Sequence, residues 1–431
     1  MQKNDQSILL RLFAETRFIP LVQNMVEQGS LAFGLEQAKT LRLTMAAEEI
    51  VSHLIETAAG VEINLSLSAR RWCVVADFSF VANPSDLWAM NLVAKENVGA
   101  EKSLDHLGLM LASRMADGFS VRLEGKTVHL ELRQDHAYPS IESQSIESGV
   151  FKGKLAILEN PEPALIKEAC ALVVNTYPTY LTHQAFFTPG KVVDMVAEGD
   201  LSLVICMDEI GAIAGLISWR SPSEKSVSFS GPYVFAGNGD VAELLESHLL
   251  NYVSRTKAVS LFSDLATEDM TTQNYESLGH LDFMQADDQS MELGVWFRHL
   301  REDMGGAVWT HPSVREFLEK AYDRLVLMRT VRDVESAGES LPENSVFSAR
   351  LRPELREVIL TPMVVGANVD ESVKRHVDCL IKDGYQNIFF NLDLAYGWQA
   401  SMGGVLLDSG FVPKILLPHG GTSDVVVFQH V

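Results

Sequence analysis

Several residues in this chain have the types and spacing that chemistry uses. Glu49 and His53 lie four apart in a stretch of helical periodicity, so one turn sets a carboxylate and an imidazole on one face. Asp77 falls at the end of an apolar, strand-like run, and Gly108 sits in LDHLGLMLASRMADGF. The run GPYVFAGNGD puts Gly237 and Gly239 directly ahead of a helix that opens at Asp240. Backbone amides at a helix start, with about half a positive charge from the dipole, can hold an anion. Tyr275 follows in NYESLGHLDF. Each also has a plainer role: Glu49 as a solvated helix residue, Asp77 as a strand-end cap, Asp240 as an N-cap and Tyr275 as an aromatic packed beside a sheet.

The elements that must position these residues alternate in period. Helical spacing over 41–58 is followed by strand-like runs at 61–67 and 72–80, a helix at 104–115 and strands at 120–123 and 127–132. That order predicts a mostly antiparallel α/β sandwich. From residue 154 a helix at 163–175 precedes LSLVICM and GAIAGLISW, with Asp208 and Glu209 at their turn. A strand at 227–235, a helix at 240–255, a strand at 258–263, a short helix ending near Leu278 and a strand at 291–297 follow. The last segment repeats this order with SVFSARL, REVILTPMVV, a helix at 371–382, NIFFNL, a short helix to Ser409, VPKILLP and DVVVFQH, which points to a tandem duplication. Polar, Ser-rich sequence at 134–153 and the glycines near 305 read as boundaries. The expected organisation is 1–135, a linker at 136–153, then 154–300 and 301–431, in an α/β (α+β) chain.

Composition excludes some classes of function. The chain has 431 residues, 57 acidic against 35 basic side chains, a net charge of −22 and 47% hydrophobic residues. Several cores are expected, and so acidic a surface repels nucleic acid and anionic lipid. Cys73, Cys170, Cys206 and Cys379 lie far apart in apolar runs, without metal-ligand spacing, so buried reduced thiols, no metal and a cytoplasmic location are expected. No apolar run is long enough to span a membrane, and the first residues lack the pattern of a signal peptide.

With its element order and the GKTVHLEL ending, the first segment resembles the GHKL-type ATPase domain of the anti-sigma-factor serine kinase branch. The resemblance implies a two-layer sandwich in which Glu49 polarises an attacking hydroxyl, His53 stands where an asparagine holds magnesium, Asp77 reads adenine and the lid at 104–109 keeps only Gly108-Leu109. It would make ATP and magnesium ligands and a regulatory protein the partner. Histidine for asparagine removes a hard oxygen ligand, and lost lid glycines remove backbone that must approach phosphates, so this site reads as decayed.

The middle segment resembles the GNAT acetyltransferase fold. There the loop Val234-Phe235-Ala236-Gly237-Asn238-Gly239 stands where backbone amides hold the coenzyme A pyrophosphate, and Tyr275 where a general acid protonates the departing thiolate. Val234 replaces the usual Gln or Arg, and Asp240 adds negative charge at the phosphate end. Glu224, Asp264 and Glu268 are strand-end candidates for a base. The last segment resembles the same fold, with Gly366 in its loop and Leu406, which cannot donate a proton, at the acid position, so it reads as inactive. Two functions follow from these resemblances. One is an acetyl-CoA-dependent N-acetyltransferase acting on a small-molecule or protein amine, with a regulatory, decayed ATP-binding domain. The other is a non-catalytic regulatory protein that binds a partner or senses a metabolite. Homodimer formation is an expectation taken from relatives of the first domain.

Overall fold

The computed structural model describes residues 6–81, 91, 112, 115–124, 126–142, 153–235, 240–285, 287–335, 338 and 340–431. Among them the chain runs through β1 (Ser7–Phe13), α1 (Ile19–Ala32), α2 (Gln37–Thr57), β2 (Glu62–Ala69), β3 (Cys73–Val81), β4 (Gly118–Glu124) and β5 (Thr127–Asp135). It continues through β6 (Ala156–Leu158), α3 (Pro163–Thr176), α4 (Pro189–Glu198), β7 (Ser202–Met207), β8 (Ile213–Ser223), β9 (Ser226–Val234), α5 (Asp240–Val253), β10 (Ser260–Leu265), β11 (Glu276–Met284) and β12 (Ser290–His299). The remaining elements are β13 (Gly306–Thr310), α6 (Arg315–Arg324), β14 (Arg329–Asp333), β15 (Val346–Arg352), β16 (Glu357–Val364), α7 (Val369–Lys382), β17 (Asn387–Asp393), α8 (Gly397–Ala400), α9 (Gly403–Asp408), β18 (Phe411–Leu417) and β19 (Val425–His430). The fold is α+β.

The chain forms two compact units, one of Met1–Ala137, Ala337–Leu351 and Val358–Tyr385, the other of Tyr138–Ser336, Arg352–Glu357 and Gln386–Val431. In the first, five antiparallel strands in the order β1-β2-β3-β5-β4 bury alternate side chains. Ile63, Leu65 and Leu67 of β2 and Val128, Leu130 and Leu132 of β5 meet Leu43, Ala47, Ile50 and Leu54 of α2 in one core. Their neighbours Asn64, Ser66, His129 and Glu131 take the other face, as period-two patterning requires. Val346, Met363 and Val364 join the same core. A Cβ on Gly366 would lie 2.4 Å from the Asn344 backbone, and its N–H donates to Ser345 Oγ at 2.9 Å, so close backbone approach accounts for this glycine.

In the second unit seven strands run in the order β11-β12-β10-β9-β8-β7-β6. Within this sheet only β9 and β10 are parallel, joined by the crossover helix α5. The continuous apolar run of β7 reflects burial on both faces. Leu203 and Ile205 point to the α3–α4 side, among Ile166, Cys170 and Val173. Val204 and Cys206 point to Val241, Leu245 and Leu249 of α5. One sequence expectation fails here: the short helix ending near Leu278 is a three-residue 3₁₀ turn, Thr272–Asn274, followed by β11. Leu278 and Phe283 of β11 are buried against the sheet, so tertiary pairing overrides the local helical pattern. β17, β19 and β18 pair antiparallel in that order, the local order of β10-β12-β11. The helix expected at 104–115 lies outside the described residues apart from Ala112 and Met115, both helical. All four cysteines are buried and unbridged.

A buried ion cluster ties β14 to the loops around it. Arg329, with its side chain 2% exposed, donates at 2.7 Å both to Asp303 and to Asp424, and His419 Nε2 stands 2.9 Å from Asp303. Burial opposes ionisation of Asp303, but hydrogen bonds from Arg329, Gly305 and His419 hold its carboxyl down at about 2. Arg329→Ala leaves two buried carboxylates without their guanidinium and is expected to cost about 3–5 kcal/mol. Denaturant midpoints check this, and a loss below about 1 kcal/mol would contradict the cluster's role.

Candidate functional site

The candidate site lies in the second unit, at the place where two parallel strands part. β9 and β10 pair from Ser226/Ser260 to Ser230/Leu265. Beyond Ser230, β9 continues to Val234 beside β8, with Tyr233 opposite Leu216 and Val234 opposite Gly215. Phe235 N–H donates to Ala214 O at 2.8 Å. Because the pleat alternates, the N–H and C=O of Val234 face the other way, into the fork.

The fork is closed by protein groups. Tyr177, which caps the C-terminus of α3, brings its hydroxyl to Val234: the Val234 N–H donates to it at 2.6 Å, and the Val234 carbonyl lies 3.0 Å away. The same hydroxyl is 2.6 Å from Asp269 Oδ2. Having one proton, it gives that proton to the carboxylate, the shorter and charge-assisted bond, and accepts from Val234. Burial first, and the bond to Asp269 second, push the phenol far above its ordinary range, so it stays protonated. Deeper in, Thr267 Oγ1 donates to the Pro232 carbonyl. Tyr233, edge-on to Tyr177 at 5.0 Å between ring centroids, donates its hydroxyl to Leu181 O at 2.8 Å.

Tyr275 lies on the α5 side of the sheet, 8% exposed, with its ring 5.7 Å from that of Phe229. Its hydroxyl has no hydrogen-bond partner among the described residues. Burial, reinforced by the charge of Glu246 and opposed by Arg298, raises its pKa well beyond the phenol range. Glu246 of α5 is 2% exposed. Its Oε1 accepts from Thr271 N–H at 2.7 Å, while Oε2 finds no partner among the described residues. Burial is the main reason its carboxyl is pushed up to about 7.

Of the other residues singled out by sequence, Val234 and Phe235 are half-buried at the fork, and Ala236, Gly237, Asn238 and Gly239 lie outside the described residues. Asp264 pairs with Arg220 at 2.9 Å, while Glu224 and Glu268 are exposed. His183 is neutral, because burial drives its pKa down to about 4 against the opposing pull of Asp264, and its Nδ1 accepts from Ala185 N–H. Leu406 is fully buried in α9.

In the first unit, Glu49 and His53 share α2, but His53 is only 4% exposed while Glu49 is half-buried. Burial, then Glu48 and Glu56, raises the Glu49 carboxyl. Asp77 sits in β3 between Ser66 and Glu131, its carboxyl raised mainly by burial, with His129 opposing and Glu131 adding. Gly108 lies outside the described residues.

Tyr177, Thr267, Asp269 and Glu246 were not singled out from sequence. NTYPTYL and TEDM carry no motif, and only the pairing of β9 with β8 turns Val234 toward Tyr177. For Glu246 a signal existed: it is an acid on the apolar stripe of ELLESHLL.

No family model and no curated protein matches the sequence. Among solved structures the chain is similar to the RsbU and RsbW domains of a Mycobacterium tuberculosis protein, with 12% identity over 30% of this chain and 32% of that one and a TM-score of 0.22. It is similar to a GNAT-superfamily phosphinothricin acetyltransferase from Sinorhizobium meliloti in complex with acetyl-CoA, with 12% identity over 35% of this chain and 90% of that one and a TM-score of 0.30. An N-acetyltransferase from Staphylococcus aureus shows 11% identity over 34% of this chain and 97% of its own, with a TM-score of 0.27.

Glu246 gives a pH test. A carboxyl whose folded pKa is raised costs nothing below the ordinary glutamate range and destabilises progressively as pH rises to about 7, where the penalty levels off. Glu246→Gln keeps the acceptor for Thr271 and is expected to add about 2 kcal/mol of stability above neutral pH and little in acid. Thermal melts across that range check it, and equal shifts at all pH values would contradict it.

Proposed function

We propose that this chain is a non-catalytic regulatory protein, whose second unit uses an acetyltransferase-like scaffold for binding rather than for acetyl transfer. One observation carries this reading: the Tyr177 hydroxyl holds the Val234 N–H and borders its carbonyl, so the backbone amide that would meet a thioester's developing oxyanion in the fork is already engaged. Tyr275 supports it, since its hydroxyl is buried and has no hydrogen-bond partner among the described residues, and its ring packs on Phe229. The first unit supports it too, because a buried histidine stands where the ATPase resemblance needs a magnesium ligand. In this account the first unit contacts a regulatory protein partner.

A second reading is an acetyl-CoA-dependent N-acetyltransferase, favoured by the parallel β9–α5–β10 crossover and the fork itself. It requires the coenzyme to displace Tyr177 from Val234, and the amine nitrogen to bond to the thioester carbon as the C–S bond breaks, the proton lost by the amine ending on the departing sulfur.

Thiol release from acetyl-CoA in the presence of polyamines and lysine peptides separates the two. The regulatory reading expects no release above the uncatalysed rate, with Tyr275→Phe indistinguishable from the parent. Acetyl transfer that falls at least about a hundredfold in Tyr275→Phe would overturn it.

A further inference from the structure

The register of β11 against β12 gathers metal-binding side chains that no sequence motif announces. Asp282 stands directly opposite Glu292, and His280, two residues along the same face, stands opposite Gly294. His280 Nε2 is 3.7 Å from Asp282 Oδ1 and 3.6 Å from Glu292 Oε1, and the three ligand atoms lie within 4.8 Å of one another. Ligands bound at roughly 2.0–2.2 Å around a tetrahedral ion stand about 3.3–3.6 Å apart, so both histidine spacings are close to what a bound ion requires.

Charge and support point the same way. Carboxylates directly opposed across an antiparallel pair repel each other, and a cation between them removes that cost. Lys414 occupies only one side of Asp282, at 2.7 Å from Oδ2, and leaves Oδ1 toward His280. The Asp282 backbone is pinned at both ends by the Gln429 amide: its N–H donates to Oε1 at 3.0 Å and its carbonyl accepts from Nε2. Ligands held this way by an outer shell lose little freedom on binding. Gly294 places no side chain opposite His280, so the imidazole stays reachable from solvent, with 45% of its side chain exposed.

We propose that His280, Asp282 and Glu292 bind one divalent transition ion of the zinc type, leaving coordination positions open to solvent. An imidazole with two carboxylates suits zinc, manganese or ferrous iron; magnesium and calcium ask for oxygen alone. This site is independent of the fork at Val234, and its test does not depend on the regulatory reading.

Calorimetry of the full chain with zinc chloride near neutral pH tests it. The expected result is one saturable site that His280→Ala abolishes, that Glu292→Gln weakens at least about tenfold, and that Lys414→Met tightens by freeing the second oxygen of Asp282. Both ligand substitutions fall at exposed side chains, so folding is preserved. Absence of saturable zinc uptake, uptake unchanged in His280→Ala, or magnesium chloride binding as tightly as zinc would each overturn the assignment. The first would identify the cluster as an ordinary polar grouping on the sheet surface.

Discussion

The second unit depends on how one backbone segment is satisfied. Where β9 outruns β10, Val234 points an N–H and a carbonyl into the fork, and buried main-chain groups left without partners cost about as much as a lost hydrogen bond. A third strand, a ligand or a side chain has to meet them. In this chain the Tyr177 hydroxyl meets the N–H and borders the carbonyl, its own proton held by Asp269, with Thr267 serving Pro232 one step deeper. The helix that delivers Tyr177 must therefore be fixed to the sheet. Ile166, Cys170 and Val173 do this by packing on Leu203, Ile205, Leu216 and Tyr233.

Polar groups on the other face of the sheet are less well served among the described residues. Tyr275 and Glu246 sit in a core that offers them few partners, a hydroxyl and a carboxylate oxygen left over once Thr271 is served. Orphaned polar groups of this kind are retained at a cost in stability. Here the cost grows with ionisation of Glu246, which makes it readable in the pH dependence of folding rather than in turnover.

Much of the fold was legible in the sequence because periodicity is a local property. Spacing at 163–175 and at 240–255 corresponds to α3 and α5, and the strand runs of the second unit correspond to β7, β8, β9 and β12. The site was less legible. Tyr177 reaches Val234 across 57 positions, and the Asp282–Glu292 pairing exists only in the register of two strands. The segment before Leu278 reads as helical locally but is drawn into β11 by its pairing with β12. Short elements such as β13 and α6 follow Gly305, Gly306 and Pro312, where the sequence carries no sustained apolar period.

The Val234 amide is held by the Tyr177 hydroxyl. Amide hydrogen exchange at Val234, in the parent chain and in Tyr177→Phe, measures this directly. The account expects slow exchange in the parent and exchange at least about tenfold faster in the variant, with the β7 amides unchanged. Equal rates at Val234 in both proteins would contradict it.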